Sequence, residues 1–320
     1  MRVADATVLT ATVPDDDLLH RLADLAAAHP TDLRLVRWDM SGPLDPATAA
    51  AVDLVVVPHY FVRPGGFDVL HDLPRLRYVQ LPSAGYEHAR PHLPPGLVLC
   101  NGRSVHDAGT AELAVGLTLA VQRDLPRAVR AMGEGRWDNP FGPSLADRRV
   151  LVVGQGSVGR AIVARFRPFE VDVVRVASTA RDDEDGHVHG VDELLDLLPD
   201  ADVVVLAIPL TRASHHLLDA RALGRMKDGA LLVNVARGKV VDTPALLAEL
   251  ERGRLRAALD VTDPEPLPAD HPLWRAPNVL VTAHQGGNTD ATAPRVAALV
   301  RRQLTALLAG EPPVNEVART

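Results

Sequence analysis

The chain has 320 residues, 47% of them apolar, and a formal net charge of −7. That length suits two domains better than one, and the apolar fraction can fill a core in each. The acidic balance excludes nucleic acid and anionic membrane as general partners, because both need a basic surface that displaces counterions.

Cys100 is the only cysteine, so no intrachain disulfide and no Cys-rich zinc module can form, and a reducing compartment is expected. The start, Met1 to Asp5, has no basic segment leading into an apolar run, so no signal peptide is read there. No apolar stretch approaches the roughly 20 residues that span a bilayer. A soluble, cytoplasmic protein is expected.

Apolar runs recur at Ala6–Val13, Leu33–Trp38, Val52–Val57, Leu76–Leu81 and Leu97–Cys100, with amphipathic stretches such as Asp16–Ala28 between some of them. A long apolar helix is expected over His106–Gln122, buried against its own chain or a partner subunit. A Gly/Pro loop follows. A second series then opens at Arg149–Val153 and continues at Val171–Val176, Ala201–Ile208, Ala230–Val235, Arg256–Val261 and Asn278–Val281, closing with a helix near Ala291–Ala309. Short apolar strands alternating with helices predict an α/β fold. Two doubly wound, parallel-sheet (Rossmann-like) domains with a cleft between them are expected.

Between the strand at Arg149–Val153 and a helix at Val158–Phe166 stands Gly154-Gln155-Gly156-Ser157-Val158-Gly159. The first glycine permits a tight turn, the second lets a pyrophosphate approach the backbone, and the third lets helix and strand pack closely. The helix start then offers unpaired N–H groups to phosphate. The bland alternative is a plain glycine-rich turn. NAD binders place a carboxylate at the end of the next strand, but here that position is Ala177. Ser178, Thr179 and Arg181 follow and suit a 2′-phosphate, so NADP is expected to be preferred, with NAD possible. The alternative is that Asp182 or Asp183 reaches the ribose after a shift of register.

Three polar residues fall at or beyond later strand ends, where open α/β sheets bind ligands. Arg237 can hold a carboxylate by two parallel hydrogen bonds and polarise the adjoining carbonyl. His284, as imidazolium, can protonate the carbonyl oxygen while hydride reaches carbon. Glu265 can stabilise and orient that imidazolium. Asp260 lies at a strand end beside them. Each residue alone has an ordinary surface reading; the set, downstream of the glycine turn, points to hydride transfer on a 2-keto acid. No metal site is expected, since no His/Asp/Glu cluster shows ligand spacing on one element.

The ordered set Gly154–Gly159, Ile208-Pro-Leu-Thr211, Asn234-Val-Ala-Arg-Gly238, Leu259-Asp-Val with Glu265-Pro-Leu-Pro268, and Thr282-Ala-His284 resembles the D-isomer-specific 2-hydroxyacid dehydrogenase family, and the departure at Ala177 resembles its NADP-using glyoxylate and hydroxypyruvate reductases. The resemblance implies a discontinuous flavodoxin-like substrate domain, 1–99 plus 287–320, around a Rossmann domain, 100–286. It also implies a homodimer built by the helix near 106–122. It assigns the catalytic positions to Arg237, Glu265 and His284, a nicotinamide contact to Asp260 and a cofactor-packing residue to Pro209. The substrate carboxylate falls to the backbone of Ser83, Ala84 and Gly85, with Arg237 and His284 completing the substrate site. Glu265 and Ala84 distinguish the chain from formate and phosphite dehydrogenases, which carry Gln and Lys there. Ala283 and Gln285 depart from the usual proline and apolar residue flanking the histidine. Arg103 and His106 lie in a loop more polar than is usual in the family. A nucleotide-sensing regulatory protein of the same superfamily is the alternative.

Overall fold

The computed structural model describes residues 8–59 and 65–320. It divides into two units, Met1–His106 with Asp290–Thr320, and Asp107–Thr289. These boundaries lie a few residues beyond the expected ones at 99/100 and 286/287; the first coincides with Asp107, which opens a helix that belongs wholly to the second unit.

In the first unit, β1 (Leu9–Val13), β2 (Leu33–Arg37), β3 (Leu54–Val56), β4 (Tyr78–Gln80) and β5 (Val98–Cys100) are parallel. Ala6, at the head of the first expected run, lies outside the described residues. Helices α1 (Asp16–Arg21), α2 (Ala23–Ala28) and α3 (Pro46–Ala49) lie among these strands in the chain. The expected stretch Asp16–Ala28 is therefore two short helices. Alternate residues of β3 supply two cores: Val55 joins Val79 and Leu99, while Leu54 and Val56 join Leu9, Ala11 and Val13.

The second unit opens with α4 (Asp107–Gln122) and α5 (Leu125–Gly133). Its sheet contains β6 (Arg149–Val153), β7 (Asp172–Ala177), β8 (Arg181–Asp183), β9 (Gly186–Gly190), β10 (Val203–Leu206), β11 (Leu231–Asn234), β12 (Arg256–Leu259) and β13 (Val279–Val281). Helices α6 (Ser157–Phe166), α7 (Leu194–Leu197), α8 (Ala220–Arg225) and α9 (Thr243–Glu251) connect them. The period of two again divides the strands between two cores. Val150, Val152, Val203 and Val205 pack with α4 and α6, whereas Leu151, Val153, Val204 and Leu206 pack with α7, α8 and α9. Burying each such side chain contributes about 1.5–3 kcal/mol, so the doubly wound layering follows from the alternation.

Near the C-terminus α10 (Thr292–Leu308) returns to the first unit, where Ala297, Val300 and Leu304 cover β1 and β3. The chain closes with β14 (Glu316–Arg319), antiparallel to β5. The pair β8–β9 is antiparallel too, so each otherwise parallel sheet carries one antiparallel pair at an edge.

The second sheet runs β13-β12-β11-β10-β6-β7-β9-β8, and its order reverses between β6 and β10. That reversal is the topological switch point, where crevices open at the carboxyl ends of strands. The register aligns Val153, Leu206, Asn234, Leu259 and Val281. Every residue singled out downstream of β6 other than β7's neighbours therefore leaves the sheet from one common level.

Candidate active site

At the switch point Gly154 adopts φ +113°, and a Cβ there would lie 2.3 Å from the Ala207 carbonyl oxygen. Only glycine allows the β6 turn to pass so close to the end of β10. A Cβ on Gly159 would lie 1.8 Å from the Gly154 oxygen, which sets α6 tightly against that turn. Gly156 differs: a Cβ there would meet nothing within 4 Å. Its lack of a side chain serves no packing contact and leaves the space over the turn clear. Gly156 caps α6 without a side-chain hydrogen bond, so the first-turn amides keep their capacity to bind phosphate. Ser157 Oγ donates to Asp107 Oδ1 at 2.9 Å, and Arg160 reaches the Gln155 carbonyl at 3.1 Å. Val158 packs on the α4–α6 core. These features fit a dinucleotide.

Ala177 is the last residue of β7, and Ser178, Thr179 and Arg181 are exposed beyond it. The two nearby carboxylates are engaged elsewhere. Asp182 accepts from His187 Nδ1 at 2.8 Å, and Asp183 pairs with the buried Arg175 at 2.9 Å. Pro209, in the loop beyond β10, accepts a hydrogen bond from Ser214 Oγ at 2.7 Å.

His284 and Glu265 come together, with Nδ1 to Oε1 at 2.5 Å. The hydrogen bond with Glu265 raises the histidine pKa above its ordinary value; burial and the Arg237 charge oppose this, and the charges of Glu265 and Asp260 add to it. Burial pushes Glu265 upward, but the hydrogen bond with His284 and the charges of His284 and Arg237 outweigh it. Its pKa falls below the usual value, so the favoured state of the pair is imidazolium with carboxylate.

Asp260 builds the turn that carries the histidine. It is 3% exposed, and its carboxylate accepts from Thr282 Oγ1 (2.7 Å), Gln285 N–H (2.9 Å) and Gly286 N–H (3.0 Å). Its carbonyl accepts from His284 N–H at 2.8 Å. Within this clamp His284 is held at φ +49°, a left-handed conformation that a non-glycine residue rarely adopts.

Arg237 is placed by a similar device. The buried Asn234 side chain donates to the Arg237 carbonyl at 3.0 Å and accepts from Ala236 N–H at 3.0 Å. Next along, a Cβ on Gly238 would lie 1.9 Å from the Thr262 carbonyl oxygen. The loop after β11 can therefore approach the loop after β12, which leads to Glu265. Sequence reasoning quoted Asn234, Gly238 and Thr282 within motifs without giving them these tasks. Small or polar residues flanking the named ones were the available signal.

Ser83, Ala84 and Gly85 stand in the first unit. Their loop is tied by Ser83 Oγ to the Gly85 carbonyl (2.8 Å) and by Asn101 Nδ2 to the Ala84 carbonyl (2.7 Å). One further grouping spans a strand and the turn after it, and so lies outside the expectation, which concerned ligand spacing on one element. Among the described residues, His187, His189 and Glu193 bring one donor atom each within 4.8 Å of the others.

A family model for the D-isomer specific 2-hydroxyacid dehydrogenase NAD binding domain matches residues 115–286. The chain belongs to the D-isomer specific 2-hydroxyacid dehydrogenase family. It is thus an oxidoreductase of 2-hydroxy acids and uses a nicotinamide cofactor. A glyoxylate reductase of Thermofilum pendens is 34% identical over 259 residues, 77% of this chain and 76% of that protein. A family member from Aeromonas salmonicida superposes with TM-score 0.83 at 28% identity, over 97% of this chain and 99% of that one. A D-isomer specific 2-hydroxyacid dehydrogenase of Xanthobacter autotrophicus Py2, solved with NADPH and MES, gives TM-score 0.79 at 30% identity, over 98% of each chain. Among the described residues, no helix of this family member is long and apolar enough to cross a membrane.

Proposed function

We propose that this dehydrogenase works as a 2-keto acid reductase that prefers NADPH, with glyoxylate and hydroxypyruvate as its first candidate substrates. The observation that carries the reaction is the 2.5 Å His284–Glu265 hydrogen bond, on loops that follow the neighbouring strands β13 and β12, with Arg237 following β11. The naming of the Thermofilum relative supports the choice of substrates.

The phosphates would be held by Gly154, Gln155, Gly156, Ser157, Val158 and Gly159, the adenosine 2′-phosphate by Ser178, Thr179 and Arg181, and the nicotinamide end by Pro209 and Asp260. A bound reduced nicotinamide supplies the hydride. Arg237 grips the substrate carboxylate in a two-pronged contact and draws electron density from the adjoining carbonyl. Amides of Ser83, Ala84 and Gly85, in the first unit, would also bind a substrate carboxylate. His284 gives its proton to the carbonyl oxygen, and Glu265 keeps the imidazole charged and oriented until it does so. In the oxidative direction neutral His284 takes the proton back.

The preference for NADPH rests on Ala177 at the end of β7. A carboxylate there would bind the ribose hydroxyls and repel a phosphate. Asp182 and Asp183, the residues that could substitute for it, are held by His187 and Arg175. The Xanthobacter structure with NADPH supports the same reading. The test is oxidation of NADPH and NADH in parallel with glyoxylate, hydroxypyruvate, pyruvate and phenylpyruvate. NADPH is expected to give the higher kcat/KM; faster use of NADH would overturn the cofactor assignment alone. Binding of NADPH without turnover of any keto acid would favour the nucleotide-sensing alternative.

Reduction needs the imidazolium, so its rate is expected to be flat below the raised His284 pKa and to fall as pH rises through it. Oxidation is expected to rise through the same pKa. Glu265→Gln removes the charge that raises this pKa, so the falling limb for reduction should move to lower pH. A pH–rate profile that does not move would uncouple the pair.

We also infer a homodimer. Most of the apolar surface of α4 is spent within its own unit, on Ala111, Ala114, Val115 and Leu117. The next segment instead exposes Leu125, Val129 and Met132 on α5, with Trp137 at 96% exposure and Phe141 fully exposed. Such a patch favours a second copy of the chain. Sedimentation at twice the chain mass is the expected result.

A further inference from the structure

We propose that His187, His189 and Glu193 form a binding site for a divalent transition-metal ion, on the edge of the second sheet, beside the strand that carries Arg181 and away from β11, β12 and β13. β9 reads Gly-His-Val-His-Gly, and its alternation buries Val188 completely while turning both histidines to the opposite face. Their rings meet edge to face, with centroids 4.6 Å apart. Each imidazole already has a carboxylate on Nδ1. His187 contacts Asp182 of β8 at 2.8 Å, across the strand pair that sets these two residues opposite each other. His189 contacts Glu193 at 2.8 Å, in the turn that follows β9. The other oxygen of Glu193 accepts from Gly190 N–H at 2.8 Å.

This arrangement is more than a charged surface. A carboxylate on Nδ1, as Asp182 supplies to His187, fixes the tautomer and ring orientation of a histidine and increases its strength as a ligand, while Glu193 would exchange its hydrogen bond with His189 for the ion. Two imidazoles and one carboxylate form a borderline-soft donor set that selects zinc, cobalt or nickel over magnesium or calcium. One donor atom from each residue already lies within 4.8 Å of the other two. Tetrahedral ligands at about 2.0–2.1 Å from zinc are roughly 3.3 Å apart, so closure needs movements of about 1.5 Å. The side chains are 50%, 28% and 41% exposed and can rotate that far. Water would complete the coordination. The ion would tie the histidine strand to the turn at Val191–Glu193 and brace the short outer pair β8–β9. The cluster crosses a strand end into a turn, so a search for ligands on one element does not find it.

The test uses the full chain without a histidine tag, stripped of metal, titrated with zinc chloride against a chromophoric chelator. One equivalent is expected to bind and to raise the melting temperature. His187→Ala, His189→Ala and, as the mildest change, Glu193→Gln are each expected to weaken binding about tenfold or more, and the latter two to leave NADPH-dependent turnover of the metal-free protein intact. Far-UV circular dichroism identifies any variant that fails to fold, and Glu193→Gln then carries the comparison. Absence of saturable binding would overturn the proposal. So would unchanged affinity in folded variants, which would place the ion on other histidines such as the stacked pair His215–His216.

Discussion

His284→Ala is expected to lower kcat for keto acid reduction by about 10²–10⁴-fold, the usual contribution of a positioned general acid. The affinity for NADPH, measured by fluorescence titration, should change little, because the imidazole acts on substrate and its partner is Glu265. A complication is that His284 sits at φ +49°, where alanine is strained by about 1–2 kcal/mol. His284→Asn separates the two effects. Asparagine enters the left-handed region readily and cannot supply the proton. If chemistry is what is lost, both variants should be equally slow. If the asparagine variant turns over normally, the histidine serves the turn and not the proton transfer.

The second large effect is expected at Arg237. A bidentate guanidinium–carboxylate contact comprises two charge-assisted hydrogen bonds of about 1.5–3 kcal/mol each. Arg237→Ala should therefore lower kcat/KM by roughly 10²–10⁴-fold, and Arg237→Lys should recover only part of it, since an ammonium cannot form the planar fork. A further sign is available. The Arg237 charge lowers the His284 pKa, so its removal should move the falling limb of the reduction profile to higher pH, opposite to Glu265→Gln. Unchanged kcat/KM in Arg237→Ala would remove the residue from the site.

The parallel strands were legible because their signal is a buried apolar run, and Arg149–Val153 forms β6 without adjustment. Other runs were read too long. Ala201–Ile208 contracts to Val203–Leu206, since Ala201 is buried outside the ladder and composition cannot separate burial from pairing. β8, β9 and β14 escaped notice. Arg181–Asp183 and Glu316–Arg319 are short and polar edge strands, and Gly186–Gly190 buries the side chain of Val188 alone. Arg237, Glu265 and His284 could be named because hydride chemistry needs their charges and protons. Asn234, Gly238 and the clamp formed by Asp260 could not, because they act on backbone atoms of loops that meet only after folding. His187 and Glu193 were invisible for the same reason.

The common level of Asn234, Leu259 and Val281 bears on how the barrier to proton transfer is set. The guanidinium, the acid and its carboxylate are borne by three adjacent ladder ends of one folding unit, each secured by its own backbone clasp or turn. Their dipoles are oriented before any substrate arrives. The solvent-like rearrangement that water would undergo around a developing alkoxide is thereby completed during folding and need not be repeated in each turnover.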